Sequence, residues 1–224
     1  MAIGVRKAGA DVAVVQADAA AERDGVPFHF VREPRQCRTT PTGALMPRAD
    51  QPDWTRRPAP DEYGEFCREY VGLVPDGDLL ATLAREGRSF SDLILAVPPD
   101  REDHRYAPDK WSIREIVGHV IDAERVNALR ALWFARAAVT AQPGWEENDW
   151  ARVSNAGRRP MRDLADEWQT VRRSSIRLLE SFDADALGRR GTANGVSFTT
   201  RAMAWVVAGH ALHHKSLLQD RYLK

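Results

Sequence analysis

The chain has 224 residues, enough for one large domain or one domain with appendages. Its 32 basic and 32 acidic side chains cancel, so it lacks the concentrated positive charge that nucleic acid as a main partner requires. Cys37 and Cys67 stand far apart in no ligand pattern, no apolar run reaches ~18 residues, and the first residues do not read as a signal peptide, so a disulfide scaffold and a membrane span are excluded and a cytoplasmic protein is expected.

Residues 1–58 read as a disordered N-terminal extension. The stretch Arg35–Pro60 carries five prolines among many arginines and has no sustained periodicity, so it offers little apolar surface to offset its ordering entropy. Met46, shortly before the folded part begins, is a candidate for the true start. Residues 59–224 read as the folded domain. A short helix is expected over Asp61–Val74, with Phe66, Tyr70 and Leu73 inward. A second runs over Asp78–Val97, marked by Leu79, Leu80, Leu83, Leu93, Ile94 and Val97; Gly87 weakens it and Pro98–Pro99 stop it. Arg101–Lys110 is polar and reads as a loop.

Ser112 and Glu115 form a capping box that opens a helix to about Ala138, apolar on several sides. Gln142–Arg159 is a long connection rich in Gly, Asn, Trp and Pro. A further helix is expected from Pro160 to Phe182, with Leu164, Trp168, Val171 and Leu179 in its stripe. Gly188–Ser197 reads as a turn, and Val196–Thr199 is too short to anchor a sheet. Thr199 or Thr200 then caps a last helix to about Tyr222. Four helices with one core face each predict an all-α, antiparallel four-helix bundle.

Three of the six histidines fall in Gly209–His214 (GHALHH). Residues four apart lie about 40° apart on a helix, so His210 and His214 share the arc of Met203, Val206, Val207, Leu217 and Leu218. His213 sits at the margin of that arc, and His210 with His213 is the second choice of pair. Two inward imidazoles one turn apart can hold one cation. A third ligand should come from a facing helix, and His119, within the apolar VGHVIDAE segment, supplies it; Gly118 beside it would admit a close neighbour. His29 and His104 fall in coil. Hydrogen-bonded core histidines or a solvated helix end are the plain alternatives.

Trp111–Arg125 (WSIREIVGHVIDAER) and Arg201–Leu218 (RAMAWVVAGHALHHKSLL) resemble the two signature helices of the DinB-like superfamily, damage-inducible metal-binding bundles. The likeness covers roughly Pro60 to Lys224. It implies a four-helix bundle with a three-histidine site at His119, His210 and His214. It also implies kinship with mycothiol- and bacillithiol-dependent transferases, hence a low-molecular-weight thiol cosubstrate, and it admits a homodimer.

Three neutral imidazoles with a free position suit catalytic zinc, or nickel. The expected function is a metal-dependent thiol transferase or related enzyme acting on a small-molecule substrate. The alternative is a non-catalytic metal-binding stress-response bundle or a dimerising, partner-binding protein. Trp133 and the Gln142–Asn155 loop with Trp145 and Trp150 are candidates for the pocket wall. Glu124 and Asp122 could orient an imidazole, although ion pairs with Arg125 or Arg114 are the simpler reading.

Overall fold

A computed structural model describes residues 51–224. Its long helices are α2 (Leu79–Leu95), α3 (Ile113–Ala135), α5 (Met161–Glu180) and α7 (Thr200–Leu217). Shorter elements are α1 (Arg68–Leu73), α4 (Glu147–Val153), α6 (Ala184–Gly188) and a hairpin of β1 (Arg190–Ala193) and β2 (Val196–Thr199); a π-helical turn, Leu218–Tyr222, ends α7.

The helix starts follow their side chains. Asp78, Ser112 and Thr199 each accept a hydrogen bond from the amide three residues on, at 2.8, 3.3 and 3.0 Å. Glu115 returns the bond by accepting from the Ser112 amide at 2.7 Å, which completes the capping box. Such caps contribute about 1 kcal/mol each.

The four long helices form a bundle in which α2 and α3 both pack on α5 and α7 rather than along each other. Two of these pairings run antiparallel: Gln169 reaches Ser91 while Arg172 packs on Gly87, and His119 near the start of α3 faces His210 near the end of α7. Consecutive helices α2 and α3 are diagonal, as are α5 and α7, and the long connection from α3 to α5 runs the length of the bundle. Two apolar clusters fill the interior. One gathers Trp54, Leu79, Phe134, Phe198 and Trp205, and the other Phe90, Ile113, Ile116, Leu164 and Trp168. Along α7 the first extends to Ala208 and the second begins at Ala211, so His210 sits on the seam between them.

Several expectations need correction. Residues 51–58 are part of the helical fold: Trp54 is 4% exposed, and its carbonyl accepts from the Leu79 amide at 3.1 Å. Arg57 donates to the carbonyls of Val71 and Val74, both at 2.6 Å, closing the end of α1. The Pro- and Arg-rich composition had concealed one buried tryptophan and one capping guanidinium. The rest of the expected extension, with Met46 and His29, lies outside the described residues.

The Asp61–Val74 helix is broken into two 3-10 turns and α1, which shifts its phase. Cys67, Val71 and Val74 are buried, whereas Phe66 is 58% exposed and Leu73 39%. The long connection carries α4, and β1 and β2 do pair. Their turn is Asn194–Gly195, both with positive φ (50° and 74°), the backbone a tight hairpin needs. Gln142 adds a bridge to Ala193, tying the α3–α4 loop to the hairpin. No helix among the described residues is long and apolar enough to cross a membrane.

Candidate metal centre

His119 on α3 and His210 and His214 on α7 converge. Each offers a ring nitrogen, and these nitrogens lie within 4.8 Å of one another. The ring centroids form a near-equilateral triangle of 5.0, 4.9 and 4.6 Å. The Nε2 atoms of His119 and His210 are 3.1 Å apart. Two nitrogens on one tetrahedral zinc stand roughly 3.3 Å apart, given Zn–N bonds near 2.0–2.1 Å. His214 Nδ1 is buried without a hydrogen-bond partner, an orphaned polar atom that an ion in the cluster would account for. The donor set therefore fits a divalent ion. It contains no carboxylate, so an ion held by these three neutral rings would keep its full double charge.

Local packing sets the rings. The Trp111 ring tilts over His119 at 4.6 Å, and the Trp111 carbonyl accepts from the buried Tyr222 hydroxyl at 2.9 Å. The π-helical turn thus anchors the residue that covers His119. On the other side, Tyr70 meets His210 edge-on at 5.5 Å. That contact depends on Gly209: a β-carbon there would lie 2.0 Å from the Tyr70 carbonyl oxygen, so only glycine lets α1 cross this close. Gly118 plays a similar part toward Ala156, whose β-carbon would be 2.6 Å away.

His213 is not in the cluster; its Nδ1 faces Glu69 at 3.9 Å, which sets aside His210 with His213 as the pair. His104 packs on Tyr222 in its loop. Glu124 and Asp122 orient no imidazole. Asp122 lies 3.6 Å from Arg125, and the buried Glu124 pairs at 2.8 Å with Arg172 of α5, a partner not considered from the sequence.

Burial pushes the imidazoles toward neutrality. His119 falls to about 4. Burial takes His210 to about 3, with His119, His213 and Arg172 adding to the effect, and His214 lies well below its ordinary value for related reasons. The unfolded chain binds protons below about pH 6.5 that the folded chain refuses until near pH 4. Stability is therefore complete above pH 6.5 and declines as pH falls from there toward 4, by roughly 1.4 kcal/mol per pH unit for each histidine. Metal-stripped protein should show this as a falling urea midpoint between pH 7 and 5. A flat midpoint would mean that the rings are solvated.

The triad lines a cavity of about 380 Å³. Its walls include Cys67 and Tyr70 at and just before α1, Asn127 and Arg130 from α3, Gly144, Trp145 and Glu147 after it, Ala193 and Asn194 from the hairpin, and Met203, Val206 and His213 from α7. Of the tryptophans expected there, Trp145 lines the cavity, Trp150 stacks behind it at 5.9 Å, and Trp133 is absent from the wall. Arg130, Asn127, Tyr70 and Cys67 carried no recognisable spacing. Asn127 and Arg130 lie within three turns of His119 on one helix, and that was the available signal.

The DinB superfamily pattern matches residues 82–218, well over half of the chain. The chain belongs to the DinB superfamily. No curated protein matches it. Among solved structures, this DinB-like chain is similar to YfiT from Bacillus subtilis, described as a probable metal-dependent hydrolase with an unusual four-helix bundle topology. The two share 14% sequence identity at a TM-score of 0.55, over 63% of this chain and 84% of that one. At that identity the likeness shows the fold.

Proposed function

We propose that this DinB-like protein is a metal-dependent enzyme acting on a small molecule, with His119, His210 and His214 holding one zinc or nickel ion. The observation that carries this reading is the convergence of three neutral imidazoles, two buried and one partly buried, without a carboxylate, in the wall of a cavity of small-molecule size. A divalent ion bound there would supply Lewis acidity, bringing the pKa of a thiol or water in its open position toward neutrality. The chain's own groups hold and shield. Trp111 and Tyr70 fix the rings and keep bulk water off them, and the walls confine the ligand.

Cys67 lines the same cavity, but burial pushes its thiol up to about 12, so it stays protonated at neutral pH. A nucleophilic sulfur would therefore come from outside, which favours a low-molecular-weight thiol cosubstrate and transfer to an electrophile. Hydrolysis, with water in place of the thiol, is the second reading, and the description of YfiT favours it.

The test is elemental analysis of purified protein, then consumption of monochlorobimane with L-cysteine and of p-nitrophenyl acetate, each before and after chelation. Transferase function predicts chelator-sensitive, thiol-dependent loss of monochlorobimane. Loss of the ester alone points to the hydrolase. Bound metal with neither reaction points to a non-catalytic metal-binding bundle, and absence of any metal removes the whole reading.

A further inference from the structure

Arg130 is 7% exposed and lies in the cavity wall, its guanidinium carbon 4.8 Å from the centre of the Trp145 ring. Its hydrogen bonds go to neutral acceptors: Nη1 to Asn127 Oδ1 at 3.3 Å and Nη2 to the Pro143 carbonyl at 2.6 Å. A guanidinium carries five N–H donors, and the other three have no partner among the described residues. No carboxylate pairs with it either. The other buried arginine, Arg172, has Glu124 at 2.8 Å. Folded proteins seldom bury a cation without a counter-charge, because desolvation then goes uncompensated. Nor does the cavity provide one nearby: its one acid, Glu147, is exposed and forms no ion pair with Arg130.

We propose that Arg130, supported by Asn127 and Trp145, binds the carboxylate of a small molecule whose other end reaches the three-histidine centre. The second half of this statement rests on the metal-dependent function proposed above; the first half does not. The geometry follows from α3. Arg130 comes eleven residues after His119, which returns it to within about 20° of the same face, roughly 16 Å further along the axis. Helical side chains lean back toward the N-terminus, so the guanidinium reaches toward His119 and leaves a gap on the order of 10 Å. A single guanidinium balances one negative charge, which suits a carboxylate better than a dianionic phosphate, and its planar fork matches the two carboxylate oxygens. The ligand class is thus an elongated monocarboxylate with a metal-seeking group at its far end.

The test uses 8-mercaptooctanoate, the neutral 8-mercaptooctan-1-ol and the short 3-mercaptopropionate as probes, with affinities measured calorimetrically on zinc-loaded and zinc-stripped full-length protein. Wild type should bind the long acid at least ~10-fold more tightly than the alcohol, the scale of a charge-assisted hydrogen bond. The short acid should be weaker than the long one, being unable to span the gap. Arg130→Met should weaken the long acid by about 10- to 100-fold and leave the alcohol within about threefold; Arg130→Lys should fall between.

Equal binding of acid and alcohol by wild type overturns the proposal without any variant having to fold. So does an Arg130→Met variant that weakens both alike, which would make Arg130 a prop for Pro143 and Trp145. A preference for acid that persists while zinc changes nothing would leave the carboxylate subsite standing and remove the metal-dependent function. Zinc-dependent binding without that preference would do the reverse.

Discussion

Replacing any one of His119, His210 or His214 with alanine is expected to weaken binding of a divalent ion by about 100-fold or more, whereas His213→Ala should leave it nearly unchanged. Loss of a mere outer partner of a metal ligand already costs ~10–100-fold, so loss of a ligand should reach at least the upper end of that range. The contrast with His213 is the decisive part. It neighbours His214 in sequence and meets it ring to ring at 5.1 Å, yet it faces Glu69 and stands outside the converging set. Zinc competition with a chromophoric chelator, alongside elemental analysis of the four variants, reads this directly. Metal retained by His119→Ala, or lost from His213→Ala, would show that the ion is held elsewhere.

Glu124→Ala is expected to destabilise the bundle by about 3–5 kcal/mol, because it strands the Arg172 guanidinium inside the protein. Arg172 packs over Trp168 at 4.6 Å and against Gly87, where a β-carbon would lie 2.7 Å from its own side chain, so it has no route to water. The pair is itself imperfect. Glu124 Oε1 and all three Arg172 side-chain nitrogens lack hydrogen-bond partners, which makes it a poor source of net stability. Replacing both members, as Glu124→Leu with Arg172→Met, should therefore recover most of the loss. Urea unfolding of Glu124→Ala, of Glu124→Leu and Arg172→Met singly, and of the double variant measures the coupling. A single-variant cost below about 1 kcal/mol would mean that the charge escapes its pocket.

The parts of this fold legible in the sequence were those written in local chemistry. Ser112 with Glu115, Thr199, and Pro98–Pro99 marked helix ends because a cap or a missing amide acts within a few residues. His210 and His214 could be paired from helical rotation alone, and His119 was supplied by the apolar face around it. What escaped depended on contacts distant along the chain. The phase of residues 61–74 is set by α7 pressing on α1 at Gly209, so Phe66 emerged where an uninterrupted helix would have buried it. The hairpin is hard to read despite the strong turn signal of Asn194–Gly195, because its strands are only four residues each. Arg130 stands in no motif or spacing that marks it. Its significance arises only where the loop at Pro143 and Trp145 folds over it.

Tyr70 and Cys67 stand before residue 82, outside the span that matches the superfamily, while all three histidines and Arg130 stand within it. Through Gly209 the backbone of Tyr70 is seated directly on α7, so the segment that narrows the cavity is also the clasp that shuts the bundle. Selectivity and foldability are entangled on that side: widening the chamber at Tyr70 or Cys67 loosens the clasp. Room for bulkier ligands has to be made elsewhere in the wall, at Trp145 in the loop that follows α3.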